Sequence, residues 1–521
     1  MKIFDKPIHL LLLVAVTLSL FSCNDKKSKE VAAAEPIEKK PNIIIYLTDD
    51  LGYGDLGCYG NPIIKTPGID KFASEGVILT DLHSAGTVCS PSRAGILTGR
   101  NPYRSGFYYL QGYAGTHLRD SEVTIAEVLK SGDYETAFMG KWHLSRLEKT
   151  SRAKEPSPSD QGFDYWFAST HNAFEGPKNF RKFIRNGEDV GEVSGWYCDV
   201  LTEEATDWLT NKRDKSKPFL LIVSTHEPHT PLAPPEEYSD MYDNATVDSL
   251  EQSISYGGVA RPEHDISMNK KEYYGTISQL DQAFANLMKT VDDENLTENT
   301  MVIFTSDNGP ESPVNLDESQ GLWEDPIRDY CFGTPGDLRG MKRFPYEGGH
   351  RVPGIIRYPA KIPAGTISNE LVVATDFITT AAKLAQVPAP QNINLDGIDA
   401  FPAFLGEKIE REKPYLWIFP THEDTYFRMP HMAMRYNDYT LIGKFKDKED
   451  DVTIMEWMKT SVPVTFSLYN LANDPSQKTD LASTESEMVE KLKPILLEQW
   501  LEIRDEGPYW EKLNEASKSK K

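Results

Sequence analysis

Pro41-Asn42-Ile43-Ile44-Ile45-Tyr46-Leu47-Thr48-Asp49-Asp50 is a continuous apolar run that ends in two adjacent acids. Such a run is typical of a parallel strand that is buried on both faces. In open α/β sheets, binding sites lie beyond the carboxyl ends of the strands. Two acids that cap a buried strand cost free energy unless a cation neutralises them. We therefore expect Asp49 and Asp50 to belong to a functional site.

Helix and strand patterns alternate after this strand. Thr124 and Glu127 form a capping-box pattern that predicts the start of a helix. Residues 219–223 and 301–305 are apolar and strand-like, and the apolar positions of 277–291 have the spacing of an amphipathic helix. This alternation predicts an α/β fold, with a doubly wound and mainly parallel sheet.

The sequence pattern changes after about residue 400. Short aromatic-rich runs at 415–419, 439–442 and 466–469 predict a small antiparallel sheet, and a helix is predicted over 485–503. The Lys-rich end is expected to be frayed. The expected segments are a large α/β domain over 41–400, an α+β subdomain over 401–515 and a basic tail over 516–521.

The composition excludes some classes of protein. The 521 residues include 39% hydrophobic and 11% aromatic residues, enough for a large core, so a mainly disordered chain is excluded. With 56 Lys and Arg against 79 Asp and Glu, the net charge is −23, which argues against binding to nucleic acid. A polyanionic substrate would have to be attracted locally, by a few basic side chains in one cleft.

The N-terminus resembles a targeting segment. Two lysines precede an apolar run over 10–21 that is too short to span a bilayer comfortably. The run ends in Leu20-Phe21-Ser22-Cys23, which resembles a bacterial lipobox with Cys23 as the lipidated residue. We expect a lipoprotein signal over 1–22, a solvated tether over 23–40, and export to the periplasm or outer membrane. An ordinary cleaved signal peptide is the alternative.

Four cysteines remain, at positions 58, 89, 198 and 331. None of them has C-x-x-C spacing, so zinc binding and thioredoxin-type chemistry have no support. An exported protein normally pairs its thiols or avoids them. Pairing among Cys58, Cys198 and Cys331 stays open, and Cys89 needs an explanation of its own.

Residues 89–99 read Cys89-Ser90-Pro91-Ser92-Arg93-Ala94-Gly95-Ile96-Leu97-Thr98-Gly99. Ser90-Pro91 predicts a helix start, which places Cys89 at the positive end of the helix and by itself indicates a reactive thiolate. The whole string resembles the signature of the type I sulfatases. In that family the Cys of C-x-P-S-R is oxidised to formylglycine, so the resemblance also implies a maturation enzyme as a partner.

The resemblance extends over most of residues 41–480, and it is strongest to N-acetylgalactosamine-6-sulfatase, arylsulfatase A types and bacterial polysaccharide sulfatases. It implies an alkaline-phosphatase-like sandwich, with a large mixed sheet between helices and a small C-terminal antiparallel sheet packed by a helix. It also implies a metal site, in which hard oxygen ligands suit Ca²⁺, with Mg²⁺ as the alternative. The implied metal-site residues are Asp49, Asp50, Cys89, Asp307 and Asn308.

Three further strings match the family: Gly140-Lys141-Trp142-His143-Leu144, Thr225-His226-Glu227-Pro228-His229-Thr230-Pro231, and Leu338-Arg339-Gly340-Met341-Lys342 with the tail over 347–353. By resemblance, Arg93 and Lys141 would hold a formylglycine diol, and His143 would take its proton as sulfate is expelled. Lys342 would neutralise the transferring oxygens, and His229 or Lys342 would protonate the departing alcohol. His226 is the weakest candidate, since it would only pack near the site.

Several candidate substrate contacts are less specific. Where arylsulfatase A types have Ser before a His-Asp pair, this chain has Ser169-Thr170-His171-Asn172, so Thr170 and His171 are candidates. The basic and apolar alternation over 178–185, which includes Arg181, indicates a strand with a solvated basic face or a wall of a glycan cleft. Further candidates in the C-terminal part are His422, Arg428, His431 and Arg435.

The resemblance and the export signal together favour a sulfatase that acts on a sulfated poly- or oligosaccharide. Two other classes stay open. One is a phosphatase or phosphonate monoester hydrolase of the same superfamily. The other is a glycan-binding lipoprotein without catalytic activity.

Overall fold

The computed structural model describes residues 39–108, 115–148, 155–243, 267–311, 331–419, 432–449 and 451–510. Its strands are β1 (Asn42–Asp49), β2 (Val77–Leu79), β3 (Leu82–His83), β4 (Glu135–Lys141), β5 (Tyr165–Ser169), β6 (Phe183–Arg185), β7 (Glu188–Gly191), β8 (Phe219–Pro228), β9 (Thr300–Ser306), β10 (Gly354–Arg357), β11 (Thr366–Ser368), β12 (Val372–Val373), β13 (Tyr415–Ile418), β14 (Met432–Tyr436), β15 (Tyr439–Phe445) and β16 (Pro463–Asn470). Its α-helices are α1 (Pro67–Ser74), α2 (Cys89–Thr98), α3 (Ile125–Lys130), α4 (Tyr197–Asp207), α5 (Glu236–Ser239), α6 (Ser267–Asp293), α7 (Glu347–His350), α8 (Asp376–Leu384), α9 (Phe401–Phe404), α10 (Ile454–Thr460) and α11 (Ser486–Glu506).

The main sheet has ten strands in the order β11-β2-β10-β9-β1-β8-β4-β5-β6-β7. The central strands, from β9 through β1, β8 and β4 to β5, are all parallel to one another. The flanking strands β10 and β6 run antiparallel to their neighbours. The sheet is therefore mixed, with a parallel centre, and its central strands all end at one edge.

Strand β1 lies at the centre of this sheet, between β8 and β9. Its side chains alternate between two cores: Ile43 and Ile45 pack in one, and Ile44 and Tyr46 pack in the other. All four are fully buried. Burying an aliphatic side chain of this size stabilises a fold by about 1.5–3 kcal/mol. The prediction of a strand buried on both faces is thus confirmed.

Helices cover both faces of the sheet. Apolar residues of α2, α3 and α8 belong to the core on one face, and those of α1, α4 and α6 belong to the core on the other. Helix α3 begins at the predicted capping box, in which the Thr124 side chain accepts from the Glu127 N–H and the Glu127 carboxylate accepts from the Thr124 N–H. The architecture is the expected alkaline-phosphatase-like sandwich.

A second sheet, with the antiparallel order β13-β14-β15-β16, forms from the predicted aromatic runs. Leu416, Met434 and Leu441 of this sheet share a core with Leu492 and Trp500 of α11. The helix therefore packs on the sheet as expected. No helix within the described residues has the length and apolar character needed to cross a membrane.

Candidate functional site

The ends of two neighbouring strands form the floor of the site. Asp49 and Asp50 close β1, and Asp307 and Asn308 follow β9 directly. The Asp307 N–H donates to the Thr48 carbonyl at 3.1 Å, and the Asn308 Nδ2 donates to Asp50 Oδ1 at 2.6 Å. Parallel pairing of the two strands thus joins acidic segments that lie more than 250 residues apart in the chain.

Helix α2 delivers Cys89 to the same place. Cys89 is the first residue of the helix, whose ten residues are all buried. Its Sγ lies 3.4 Å from Asp49 Oδ1. One potential ligand atom from each of Asp49, Asp50, Cys89 and Asp307 lies within 4.8 Å of the others. The structure therefore gathers the nucleophile candidate and three carboxylates around one point.

The donor set at this point fits a hard divalent cation. Asp49, Asp50, Asp307 and Asn308 are at most 3% exposed. The Asn308 Oδ1 atom is buried and has no hydrogen-bond partner among the described residues, which is costly for a buried acceptor unless a ligand completes it. Carboxylate and amide oxygens are the ligands that Ca²⁺ and Mg²⁺ prefer. These four residues would hold such an ion.

Three cationic side chains balance the carboxylates. Arg93, one helical turn after Cys89, donates through Nε to Asp307 Oδ2 at 2.8 Å and through Nη1 to the Lys141 carbonyl at 2.9 Å. The Lys141 ammonium donates to Asp49 Oδ2 at 2.5 Å. The Lys342 ammonium donates to Asp50 Oδ2 at 2.7 Å. Three positive charges against three negative ones leave the protein part of the site neutral, so a bound divalent ion makes it attractive to an anion.

These contacts and burial shift the pKa values of the three carboxyl groups in different directions. Burial favours the neutral form of Asp49, but Lys141, with His229 and Arg93, outweighs it and holds the pKa of that carboxyl well below its usual range. Burial and then repulsion from Asp49 raise the pKa of Asp307 to about 7. Burial also raises the pKa of Asp50, against the opposing effect of Lys342. Crowded carboxylates of this kind are relieved by a metal cation.

The unmodified Cys89 thiol is a poor nucleophile in this setting. Burial, followed by the Asp49 carboxylate, raises the pKa of the thiol far above its ordinary value. In the metal-free site these effects oppose the favourable field at the start of α2, which by itself indicates a thiolate.

The matched histidines lie around the same centre. His143 is buried with a left-handed φ of 55°, and its Nδ1 has no hydrogen-bond partner among the described residues. Burial and then Lys141 hold the pKa of His143 well below its usual value. In His229, Nδ1 lies 2.5 Å from the Thr230 carbonyl and Nε2 lies 3.6 Å from Asp50 Oδ2. Burial and Lys342 lower the pKa of His229 to about 3.

His226 has a supporting position. Its Nδ1 accepts from Asn172 Nδ2 at 3.2 Å and from the Ala173 N–H at 3.3 Å, and its Nε2 lies 3.1 Å from the Pro231 carbonyl. Both ring nitrogens are thus occupied by protein groups. The expectation that His226 only packs near the site agrees with these contacts.

Sequence reasoning missed two groups of the site. Asn172 Nδ2 donates to Asp49 Oδ2 at 2.5 Å, which makes it a second donor beside Lys141. The signal for it was present, since Asn172 follows the candidates Thr170 and His171 directly and replaces the acid of the arylsulfatase A pattern. Glu311 has Oε2 at 3.4 Å from the Lys342 ammonium, and no motif indicated it.

The substrate candidates separate into groups. His171 borders the site, with its ring 5.6 Å from that of His143, and the 65% exposed Phe174 lies beyond it. The buried Thr170 hydroxyl accepts from the Leu147 N–H at 3.0 Å. Arg181 is exposed and paired with Glu192, and strand β6 covers only the last three residues of the predicted basic strand.

Other candidates lie elsewhere. Arg435 is buried and donates to Asp81 at 3.0 Å, so it holds the fold together. Candidates outside the described residues are Cys23, His422, Arg428 and His431. No disulfide joins the cysteines within the described residues.

Known proteins resemble this chain over most of its length. It is 28% identical over 498 residues to the N-acetylgalactosamine-6-sulfatase of Canis lupus familiaris, covering 89% of this chain and 85% of that protein. It is 28% identical over 513 residues to the ulvan-active sulfatase of Formosa agariphila, covering 96% of this chain and 89% of that protein. The crystal structure of Ps i-CgsB in complex with k-i-k-neocarrahexaose has the same fold, with a TM-score of 0.70 at 24% identity, covering 90% of this chain and 94% of that one.

Family models extend the same result. Residues 340–504 match the model of the N-sulphoglucosamine sulphohydrolase C-terminal region. Residues 41–387, about two thirds of the chain, match the sulfatase model. This chain therefore belongs to the sulfatase family and is a sulfuric ester hydrolase.

Proposed function

We propose that this protein hydrolyses sulfate monoesters of a sulfated poly- or oligosaccharide, using formylglycine made from Cys89 and a divalent metal ion, Ca²⁺ in the first place. The observation that carries the proposal is the convergence of Cys89 with Asp49, Asp50 and Asp307. One potential ligand atom of each residue lies within 4.8 Å of those of the others. The unpartnered Asn308 Oδ1 beside them supports a metal ligand role for that residue.

Conversion of the Cys89 thiol to formylglycine would give the site the nucleophile that it lacks. Burial and the Asp49 carboxylate raise the pKa of Cys89, which disfavours the thiolate as the nucleophile. Hydrated formylglycine at position 89 would supply a nucleophilic hydroxyl, and an ion held by Asp49, Asp50, Asp307 and Asn308 would supply the polarisation of that hydroxyl. The second hydroxyl allows the sulfate to be expelled afterwards, which an ordinary serine could not do.

Residues of the chain then orient and neutralise the reacting groups. Arg93 is held by Asp307, and Lys141 is held by Asp49, which also accepts a hydrogen bond from Asn172. Both cations can therefore stabilise negative charge without reorganisation. The Nδ1 atom of His143 is buried and has no partner among the described residues, and the lowered pKa favours a neutral imidazole, which is suited to accept a proton.

The leaving alcohol needs a proton. Lys342 keeps its proton firmly, because Asp50 outweighs burial and holds its pKa well above the ordinary value. This suits neutralisation of the sulfate oxygens. His229 is the more exposed of the two, with Nε2 directed at the site and Nδ1 tied to the Thr230 carbonyl. A sulfate anion beside Nε2 favours its protonated form, which makes His229 the better proton donor.

The choice of a glycan substrate rests on relatives and on the surface beside the site. An N-acetylgalactosamine-6-sulfatase and an ulvan-active sulfatase are among the relatives. His171 and the exposed Phe174 form an aromatic edge next to His143, as sugar-binding clefts commonly have. With the net charge of −23, attraction of a sulfated substrate depends on the local cations of the site.

We also propose export as a lipoprotein anchored through Cys23, in the periplasm or at the outer membrane, with a maturation enzyme as a biosynthetic partner. The lipobox-like Leu20-Phe21-Ser22-Cys23 and the short apolar run before it support this. Metabolic labelling with a fatty acid should mark the wild type and leave Cys23→Ala unlabelled. Labelling of both would exclude this anchor.

The central experiment is mass spectrometry of the peptide that spans Cys89, from protein coexpressed with a maturation enzyme. The aldehyde should replace the thiol, and the matured enzyme should release sulfate from members of a panel of sulfated oligosaccharides. A matured enzyme that acts only on aryl sulfates contradicts the glycan substrate. Preference for the phosphate over the sulfate ester of one alcohol would indicate the phosphatase alternative, and binding without turnover would indicate the non-catalytic one.

A further inference from the structure

Arg343 has an unusual backbone for a long side chain. Its φ of 80° lies in the left-handed region that favours glycine. Its N–H donates to the Thr87 carbonyl at 2.8 Å, two residues before Cys89. Residues in such conformations persist only where their surroundings hold them, and they cluster at functional sites. The Arg343 side chain therefore needs a functional explanation.

The side chain of Arg343 belongs to a row of alternating charges. Both of its terminal nitrogens contact the Glu311 carboxylate, with Nη2 3.0 Å from Oε2. The same Oε2 lies 3.4 Å from the Lys342 ammonium, which donates to Asp50 at 2.7 Å. The four side chains are at most 13% exposed. The row runs from Arg343 to the carboxylates of the metal site.

Lys342 is thus shared between two carboxylates. Attraction between opposite charges in a poorly solvated site grows as the separation falls, so Glu311 competes with Asp50 for the ammonium. A bidentate guanidinium–carboxylate pair is strong and geometrically specific. Because Arg343 holds Glu311 in this way, it limits the pull of Glu311 on Lys342.

The backbone conformation fits this arrangement. Lys342 and Arg343 are consecutive, and consecutive side chains of an extended chain point to opposite sides. Here both reach the same carboxylate. The left-handed conformation of Arg343 is what allows two neighbouring side chains to face one acid.

We infer that Arg343 is a positioning residue, which holds Glu311 and thereby keeps the Lys342 ammonium directed at Asp50 and at the sulfate position. The inference rests on the proposed function, in which Lys342 neutralises sulfate oxygens. In Arg343→Ala, Glu311 pairs with Lys342 and draws its ammonium away from the site.

A set of variants tests this on the matured enzyme. Arg343→Ala should lower kcat for a sulfate ester about tenfold or more, with a smaller change in KM, because a misplaced group costs mainly transition-state stabilisation. Adding Glu311→Gln to Arg343→Ala should return kcat to within about threefold of the Glu311→Gln single variant, since the two changes act on one interaction. A loss of kcat that came only from lost packing of the Arg343 side chain would not be rescued by neutralising Glu311, the carboxylate that Arg343 contacts.

A second comparison uses glycine, which relieves the backbone strain at position 343. Arg343→Gly should melt at a higher temperature than Arg343→Ala, because glycine tolerates this φ, yet it should lose as much kcat. The matched control is Gln386→Gly, at an exposed position with φ 55° far along the chain, which should leave kcat unchanged. If kcat follows the melting temperature across these variants, the inference is overturned.

Two outcomes separate this inference from the proposed function. A wild type that releases no sulfate from any ester refutes the proposed function. The inference is then judged on the crystal structure of Arg343→Ala, which should show the Lys342 ammonium closer to Glu311 than to Asp50. An unmoved Lys342, or equal loss of kcat in Arg343→Ala and in its Glu311→Gln double variant, overturns the inference alone.

Discussion

Lys141→Met should destabilise the metal-free protein strongly. Lys141 and Asp49 are both fully buried, with 2.5 Å between Nζ and Oδ2. At an effective dielectric constant of about 20, that separation corresponds to an attraction of roughly 6–7 kcal/mol. The Asn172 amide and Arg93, whose Nη2 is 3.9 Å from Oδ1, continue to support Asp49. We therefore expect a loss of about 3–5 kcal/mol, the usual cost of leaving a buried charge without its partner.

The measurement is the free energy of unfolding from urea titrations, with chelator and with excess Ca²⁺. An ion bound by Asp49 neutralises the same carboxylate, so the loss should shrink by half or more when Ca²⁺ is present. Lys130→Met is the matched control. It removes a lysine 2.6 Å from Asp164, but both side chains are about 40% exposed, so its cost should stay below about 1 kcal/mol.

Two results would refute this reasoning. A loss in Lys141→Met no larger than that in Lys130→Met would show that burial does not govern the pair. An equal loss with chelator and with Ca²⁺ would show that the ion does not engage Asp49.

Three further predictions concern the nucleophile, the metal and the buried histidines. Cys89→Ala should abolish sulfate release while leaving the circular dichroism spectrum and the urea midpoint near those of the wild type, because only a small buried side chain is trimmed; retained turnover would refute the covalent mechanism. Asn308→Ala should weaken Ca²⁺ binding about 10–100-fold in calorimetry, since it removes the buried Oδ1, and unchanged affinity would remove Asn308 from the ligand set. Burial, followed by repulsion from His229, lowers the pKa of His226 to about 3, so the unfolded chain takes up this proton first as the pH falls. The contribution of neutral His226 to the free energy of unfolding should therefore be complete above about pH 6.5 and fall by about 1.4 kcal/mol per pH unit below it. In urea titrations, His226→Gln should show a shallower fall in the free energy of unfolding with decreasing pH. Identical slopes in the two proteins would contradict a neutral buried His226.

Much of the fold follows from local patterns. The continuous apolar run of 43–47 predicted a strand buried on both faces, and the structure places it at the centre of the main sheet. The capping box at Thr124 predicted the start of α3. The resemblance implied a mixed sheet, but the residues did not indicate that β10 and β6 are antiparallel strands, because strand direction depends on long-range connections and leaves no periodic signal in so few residues.

The site was predictable where residues lie inside matched strings. Asp307 and Asn308 were placed beside Asp49 by resemblance, and the parallel pairing of β1 with β9 supplies the physical reason. Glu311 and the conformation of Arg343 were beyond sequence reasoning, since no motif indicated that these two residues meet in the fold. The environment of the Cys89 thiol was not predictable for a related reason. A helix start is a local feature, whereas burial against Asp49 is set by the whole fold.

The depth at which Cys89 lies has a consequence for biosynthesis. The residue is 2% exposed, and it opens a helix in which every residue is buried. If Cys89 is converted to formylglycine as proposed, the converting enzyme has to reach this side chain before the helix packs beneath the strand ends. Molecules that fold before this conversion would then keep a buried thiol and remain inactive. The active fraction of a preparation would then depend on how the rate of conversion compares with the rate of folding.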